Sequence, residues 1–194
     1  MKPINKTIRV FAPASSANLG CGFDVMGMAL DGIGDVLRIA ISEGDGLTIR
    51  NASAAELPED IEKNVITPAV RAFMAAAGKK ACLEIVVEKK IRPGSGIGSS
   101  AASSAAAVFG LNELYGRPFP LPELVPFAME GEKLISGTAH ADNSAPAVMG
   151  GIVLIRGYQP LDMVRLPVPD SFCFSVIHPH IVVSTKAARD VLRK

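Results

Sequence analysis

Short apolar runs separated by proline, glycine and polar residues dominate the first fifty positions, and this pattern predicts β-strands. Strands are expected over residues 7–12, 23–30, 36–41 and 47–50, with Pro13 ending the first of them. A polar, glycine-bearing loop is expected over residues 15–22, and residues 31–35 should join the second strand to the third. The N-terminal quarter of the chain is therefore predicted to contain four short strands.

Helical spacing first appears after residue 64. Val65, Ala69, Phe73 and Ala76 recur near the helical period, which predicts a helix over residues 65–77 that ends at Gly78. Alternation then predicts a strand over residues 82–88, and helices are expected over residues 99–115 and 121–135. Further strands are expected at residues 152–155 and 164–166. Strands and helices in this order favour an α+β fold.

Two prolines within residues 167–170 suggest a domain boundary. Beyond it we expect a strand over residues 172–177 and a helix over residues 184–193, with Ser184 as its N-cap. One strand and one helix cannot form an independent core. We therefore expect residues 1–166 to form one domain, residues 167–194 to begin a second one, and the chain to be the front part of a longer protein.

Composition excludes several classes of partner. Lys and Arg total 20 against 19 Asp and Glu, the net charge is +1, and aromatic residues make up only 5%. These values argue against a protein surface that binds nucleic acid or anionic membranes. The three cysteines are far apart and odd in number, which fits reduced thiols in a cytoplasmic protein. The sequence predicts no membrane partner and leaves a homodimer open.

A glycine-rich stretch between the predicted strand over residues 82–88 and the helix after it is the clearest candidate for chemistry. It consists of Pro93, Gly94, Ser95, Gly96, Ile97, Gly98, Ser99, Ser100 and Ala101. Glycine lets a backbone approach a ligand closely, and a helix start offers unpaired N–H groups to an anion such as phosphate. One glycine would suffice for a turn, so we favour a phosphate site over a turn capped by serine. Neither the Walker A pattern nor G-x-G-x-x-G fits this spacing.

A second polar group follows the helix over residues 121–135. Glu132 suits a Mg²⁺ ligand beside phosphate, although a solvated charge next to Lys133 is the alternative. His140 could hold a substrate carboxylate or move a proton, and a hydrogen-bonded loop histidine is equally compatible with the spacing. Asp142 could be a general base for a hydroxyl, whereas Asp142 and Asn143 together also suit a turn.

A third polar group flanks the loop after the first strand. Asn18 and Asp24 lie on either side of its glycines, where they could bind a small polar molecule. Taken alone, this pair is better explained as an Asx-type turn.

Together these stretches resemble the GHMP small-molecule kinases, and within that superfamily the homoserine kinase family. The similarity covers residue 7 to the end and includes residues 93–102, 13–24, 131–151 and 184–189. It implies an N-terminal domain related to ribosomal protein S5 domain 2, with a left-handed βαβ crossover, and then the beginning of a ferredoxin-like domain. The third, glycine-rich motif of the superfamily is absent from this sequence.

The resemblance also implies a reaction, the transfer of the ATP γ-phosphate to the side-chain hydroxyl of L-homoserine. The backbone from Pro93 to Ala101 would wrap the phosphates, and Ser100 and Glu132 would hold Mg²⁺. The remaining roles implied are an adenine contact for Asn64, amino-acid binding for Asn18, Asp24, His140, Thr185 and Arg189, and a base or orienting role for Asp142.

Three alternatives stay open at this point. The chain could be another GHMP kinase, acting on mevalonate, shikimate or a sugar. It could be a non-catalytic S5-like binding module, or a stably folded fragment that binds nucleotide without turnover.

Overall fold

The computed structural model describes residues 6–54, 57–58 and 60–177. Six strands form one sheet in this part of the chain: β1 (Lys6–Ala17), β2 (Met26–Ser42), β3 (Gly46–Asn51), β4 (Cys82–Glu88), β5 (Ile152–Tyr158) and β6 (Leu161–Leu166). The helices are α1 (Ile66–Ala76), α2 (Ser99–Leu114), α3 (Leu121–Ser136) and α4 (Ala141–Met149), and a 3₁₀ turn precedes α1 at Ile61–Lys63. In the described part of the chain, no helix is long and apolar enough to span a membrane.

The sheet is arranged around β2, its longest strand. Antiparallel to β2, β1 pairs along one edge from Lys6 opposite Ile41 to Ala17 opposite Gly27. On the other edge β4 pairs with the second half of β2, and β5 pairs with its first three residues. β3 runs parallel to β4, and the chain between them contains α1, so β3, α1 and β4 form a βαβ unit in a mixed sheet. The expected α+β class is confirmed, while the hand of this crossover stays a prediction.

Two expectations for the N-terminal quarter are wrong. Pro13 does not end β1, because the register shifts between Pro13 and Ser15 and the strand continues to Ala17. A bulge on a strand that pairs with only one other described strand tolerates the missing N–H of proline. The strands expected over residues 23–30 and 36–41 are one strand, in which residues 30–33 bulge opposite Ala14.

The three helices predicted over residues 65–77, 99–115 and 121–135 are confirmed within two residues at each end. α2 is built mainly of small residues because it packs directly on the sheet. A Cβ on Gly110 would lie 2.6 Å from Ile39 Cδ1 and 3.0 Å from Val10 Cγ2. The small side chains therefore let α2 approach β1 and β2 at close range, which places the start of α2 at the end of the sheet.

Helix α4 was not predicted, since His140 was compatible with a loop and Asp142 and Asn143 with a turn. Pro146 lies inside α4 and cannot donate to the carbonyl of Asp142 one turn earlier. That carbonyl oxygen lies instead against Gly27 of β2, where an added Cβ would be 1.7 Å away. Gly27 and Pro146 together allow the first turn of α4 to lie directly on the sheet.

The strand expected over residues 172–177 is also wrong. These residues form no strand, and Phe172, Phe174 and Ile177 are exposed to solvent. A strand exists through pairing, and none of the described strands pairs with this segment. The helix expected over residues 184–193 lies outside the described residues.

Candidate active site

The glycine loop joins β4 to α2, and its backbone adopts a conformation that glycine reaches without strain. The φ angles are +74° at Gly94, +76° at Gly96 and +67° at Gly98. Gly98 is the N-cap of α2 and has no side chain with which to cap the N–H groups of the first turn. A helix start of this kind carries the positive end of the helix dipole and suits an anion such as phosphate.

The loop is anchored to the sheet and to α4. The N–H of Ser15 donates to the Ile97 carbonyl at 3.2 Å, and Ser15 Oγ donates to Asn143 Oδ1 at 2.9 Å. A Cβ on Gly98 would be 2.0 Å from Ser15 Oγ and 3.1 Å from Asn143 Oδ1. Glycine at position 98 is therefore required by close contact as well as by its φ angle.

Ser100 and Glu132 meet beside the first turn of α2. Ser100 Oγ donates to Glu132 Oε1 at 2.5 Å. The helices that carry them pack closely, since a Cβ on Gly131 would be 2.1 Å from Ser104 Oγ of α2. The pattern Gly131-Glu132 thus brings the carboxylate of α3 to the start of α2.

This pair has the chemistry of a divalent cation site. Burial raises the pKa of Glu132, and the charge of Asp142 adds to the increase, whereas the Ser100 hydroxyl and the charge of Lys89 lower it. A bound cation would relieve the cost of that buried carboxylate. The described residues contain no cluster of three or more His, Cys, Asp or Glu side chains arranged for a metal. One serine and one carboxylate are enough for Mg²⁺ where phosphate oxygens and waters complete its shell.

On the other side of the site lie Asn18, Asp24 and His140. Asn18 Oδ1 accepts from the N–H of Asp24 at 2.8 Å, which is the Asx-type contact expected from the loop alone. His140 Nδ1 lies 3.7 Å from Asp24 Oδ1, and His140 Nε2 lies 3.0 Å from Thr138 Oγ1. The Asx-type turn from Asn18 to Asp24 is therefore compatible with a polar site, because Asp24 in this turn also lies close to His140.

Asp142 is in the first turn of α4 and is 4% exposed. Burial raises its pKa, and the charge of Asp24 raises it further, while His140 and backbone hydrogen bonds lower it. Asp142 in turn contributes to the raised pKa of Glu132. The three carboxylates therefore influence one another across the site, from Glu132 at the phosphate side to Asp24 at the polar loop.

Asn64 is buried beside the start of α1. Its Oδ1 accepts from the N–H of Ile66 at 3.0 Å, which is a capping contact. The carbonyl of Val65 accepts from Ser104 Oγ at 3.2 Å, so Asn64 lies next to the second turn of α2. Thr185 and Arg189 lie outside the described residues.

The structure also contains a buried ion pair, Lys89–Asp35, beside the start of α2, and neither residue was expected at the site from the sequence. The Lys89 ammonium donates to the Asp35 carboxylate, to the Ser99 carbonyl at 2.5 Å and to Ser103 Oγ at 2.8 Å. Asp35 Oδ1 also accepts from the N–H groups of the two residues after Lys89, at 2.9 and 3.0 Å. Burial lowers the pKa of Lys89, and the charge of Asp35 opposes the decrease. Asp35, one of two aspartates in the largely apolar strand β2, was the available signal for this pair.

Residues 64–151 match the family described as the GHMP kinases N terminal domain. The chain is 41% identical over 199 aligned positions to a homoserine kinase of Chlorobium phaeobacteroides, covering 96% of this chain and 62% of that protein. It is 46% identical over 185 positions to a homoserine kinase of Natronomonas pharaonis, covering 95% of this chain and 60% of that protein. The chain thus spans about three fifths of the length of these curated relatives.

Solved structures agree with these similarities. The crystal structure of a homoserine kinase from Cytophaga hutchinsonii has a TM-score of 0.87 at 43% identity, covering 98% of this chain and 61% of that one. L. major mevalonate kinase has a TM-score of 0.64 at 23% identity, a likeness of fold alone that covers 84% of this chain and 53% of that one. The chain is therefore a homologue of the homoserine kinases, and its residues 64–151 match the N-terminal domain of the GHMP kinases.

Proposed function

We propose that this chain belongs to an enzyme that uses ATP to phosphorylate the side-chain hydroxyl of L-homoserine, giving O-phospho-L-homoserine for threonine biosynthesis. The observation that carries the proposal is the position of the Ser100–Glu132 pair at the start of α2, close to the Asp24–His140 pair. Asp142 lies between the two pairs: its charge affects the pKa of Glu132, and the charges of Asp24 and His140 affect its own pKa. A phosphate site and a small polar site therefore adjoin. The names of the relatives support homoserine as the acceptor.

The residues on the nucleotide side fit Mg²⁺ and ATP. The space beside Gly96 is open, and the loop ends at the N–H groups that begin α2, which suit phosphate. We propose that Ser100 and Glu132 hold Mg²⁺ there. Bound Mg-ATP would supply the phosphoryl group for transfer and leave as ADP. Asn64 is proposed as the adenine contact because it lies beside the second turn of α2.

On the acceptor side, the carboxylate of Asp24 suits the ammonium group of an amino acid, with Asn18 and His140 beside it. Thr185 and Arg189 are proposed for the acceptor carboxylate, which an Arg fork can bind through two hydrogen bonds. Asp142 either takes the hydroxyl proton or only orients the hydroxyl. Phosphoryl transfer through a loose transition state needs little help from a base, so positioning could suffice.

We also propose that residues 1–166 form a domain of the ribosomal protein S5 domain 2 type, and that residues 167–194 begin a ferredoxin-like domain. The parallel pairing of β3 and β4 around α1 supports the first part. The thiols of Cys21, Cys82 and Cys173 are free, which supports a reducing, cytoplasmic location.

The proposal is tested by ADP release from Mg-ATP with L-homoserine, mevalonate, shikimate or galactose as acceptor. We expect turnover with homoserine to exceed that with the other alcohols. Preference for an acceptor without an amino-acid group would overturn the choice of homoserine. Salt-dependent RNA binding without ATP binding would favour a binding module, and ATP binding without turnover would mean that this chain alone is inactive.

Glu132→Gln tests the cation site, and Glu130→Gln is its matched control. Both residues lie on α3, but Glu130 is exposed and pairs with Lys133 at 2.6 Å. Glu132→Gln should reduce kcat by a factor of about 100 or more, since it removes a charge that acts on the developing phosphoryl group. Glu130→Gln should leave kcat unchanged. Equal rates in the two variants would exclude a metal role for Glu132.

Asp142→Asn decides between base and orientation. Loss of a general base should lower kcat by a factor of about 100 to 10,000. A loss of about tenfold, roughly 1.4 kcal/mol, would indicate that Asp142 orients the hydroxyl and that phosphate oxygens take the proton.

A further inference from the structure

The hydroxyl of Tyr158, the last residue of β5, bridges the two segments that carry the proposed acceptor-binding residues. Tyr158 Oη donates to the backbone carbonyl of Asp24 at 2.8 Å. It also accepts from the N–H of Ala141, the first residue of α4, at 3.2 Å. One side chain therefore connects the loop after β1 to the start of α4.

The backbone of Asp24 is hydrogen-bonded on both sides. Its N–H donates to Asn18 Oδ1 at 2.8 Å, and its carbonyl accepts from Tyr158. The φ angle of Asp24 is +58°, a left-handed conformation that costs an L-residue energy unless its surroundings stabilise it. Because the two hydrogen bonds hold the peptide groups before and after Asp24, the direction of its carboxylate depends on both.

Tyr158 also contacts His140 and the first residue of α4. His140 is the N-cap of α4, but its side chain makes no capping bond, so the Tyr158 hydroxyl satisfies one N–H of the helix start. The rings of His140 and Tyr158 pack edge to face, with centroids 6.4 Å apart and an interplanar angle of 84°. Tyr158 therefore contacts both members of the pair in which His140 Nδ1 lies 3.7 Å from Asp24 Oδ1.

We propose that Tyr158 is a positioning residue that sets the spacing of Asp24 and His140 and thereby determines the affinity for the amino-acid end of the acceptor. The inference rests on the proposed function, since it assigns these residues to amino-acid binding. Both hydrogen bonds of the bridge lie on the acceptor side of the site. Loss of the bridge should therefore change acceptor binding and leave ATP binding unaffected.

The test compares Tyr158→Phe with Tyr115→Phe in the full chain. These are the two tyrosines of the sequence, and the Tyr115 hydroxyl has no hydrogen-bond partner among the residues that the structure describes. Tyr158→Phe should raise KM for homoserine about tenfold, the effect of roughly one hydrogen bond, with kcat and KM for ATP within about twofold of wild type. The Ala141 N–H should exchange with solvent faster, while Tyr115→Phe should change none of these values.

Several results would overturn the inference. An unchanged KM for homoserine in Tyr158→Phe would do so, as would unchanged exchange at the Ala141 N–H. A parallel rise in both KM values, or a lower melting temperature without a selective effect on homoserine, would indicate a merely structural tyrosine. If the wild-type chain neither binds nor phosphorylates homoserine, the proposed function itself fails, and this inference fails with it.

Discussion

Lys89→Met should destabilise the protein strongly, because it leaves the Asp35 carboxylate buried without its cation. The side chains of Lys89 and Asp35 are 3% and 0% exposed. Breaking a buried ion pair by removing one partner costs about 3–5 kcal/mol. In the variant, the Asp35 carboxylate still accepts hydrogen bonds from Ser103 Oγ and from two backbone N–H groups, and these partly stabilise its charge. We therefore expect a loss at the lower end of this range, about 3 kcal/mol.

The assay is urea unfolding followed by far-ultraviolet circular dichroism. With a denaturant dependence of about 2 kcal/mol per molar urea, a loss of about 3 kcal/mol lowers the midpoint by roughly 1.5 M. Arg9→Met is the control, since Arg9 pairs with Glu88 at 3.2 Å on the surface of the same sheet. An exposed pair contributes about 0–1 kcal/mol, so the midpoint of this control should move little.

The double variant Lys89→Met/Asp35→Asn separates the cost of the unpaired charge from that of lost packing. Asparagine retains an oxygen that can accept from the backbone N–H groups, but it carries no charge. The double variant should recover about 1–2 kcal/mol relative to Lys89→Met, because no buried charge remains. A loss below about 1 kcal/mol in Lys89→Met, or a double variant less stable than the single one, would refute the reasoning.

Three further predictions concern the site and its supports. Because burial raises the pKa of Glu132, the folded state binds a proton more tightly than the unfolded chain between pH 4.5 and the raised value, and stability falls as the pH increases through that window. Glu132→Gln should therefore gain stability relative to wild type between pH 4 and pH 8, and a difference that does not change with pH would contradict this. Gly98→Ala should destabilise more than Gly116→Ala in urea unfolding, since both glycines have positive φ but only the first would place a Cβ against a neighbouring side chain. Gly27→Ala should cost about 1–3 kcal/mol through its clash with the backbone of α4. Gly157→Ala should change stability by less than about 0.5 kcal/mol, and equal losses in these two variants would argue against the clash.

The candidate site could be assembled from the sequence only in part. The glycine loop and Glu132 were recognisable because each requires a particular residue type, glycine for positive φ and a carboxylate for a cation. The roles proposed for Lys89 and Tyr158 were not recognisable. Their partners, Asp35 and Asp24, are far away in the sequence, and nothing in the local pattern marks either contact.

The sequence by itself determined the elements whose signal is local. Helix α1 and strand β4 follow from the period of apolar residues, α2 from small residues after a glycine loop, and α3 from a proline in its first turn. These features act within a few residues. The positive φ angles of the loop before α2 belong to the same class, since the backbone freedom of glycine is intrinsic to the residue.

Only the tertiary structure decided where the chain departs from its local preferences. β2 continues through residues 30–33 because β1 pairs with it on both sides of the bulge. α4 forms around Pro146 because the carbonyl left free by proline lies against Gly27, a residue on a distant strand. In both cases the stabilising contact joins residues far apart in the sequence, and such contacts exist only once the sheet has brought them together.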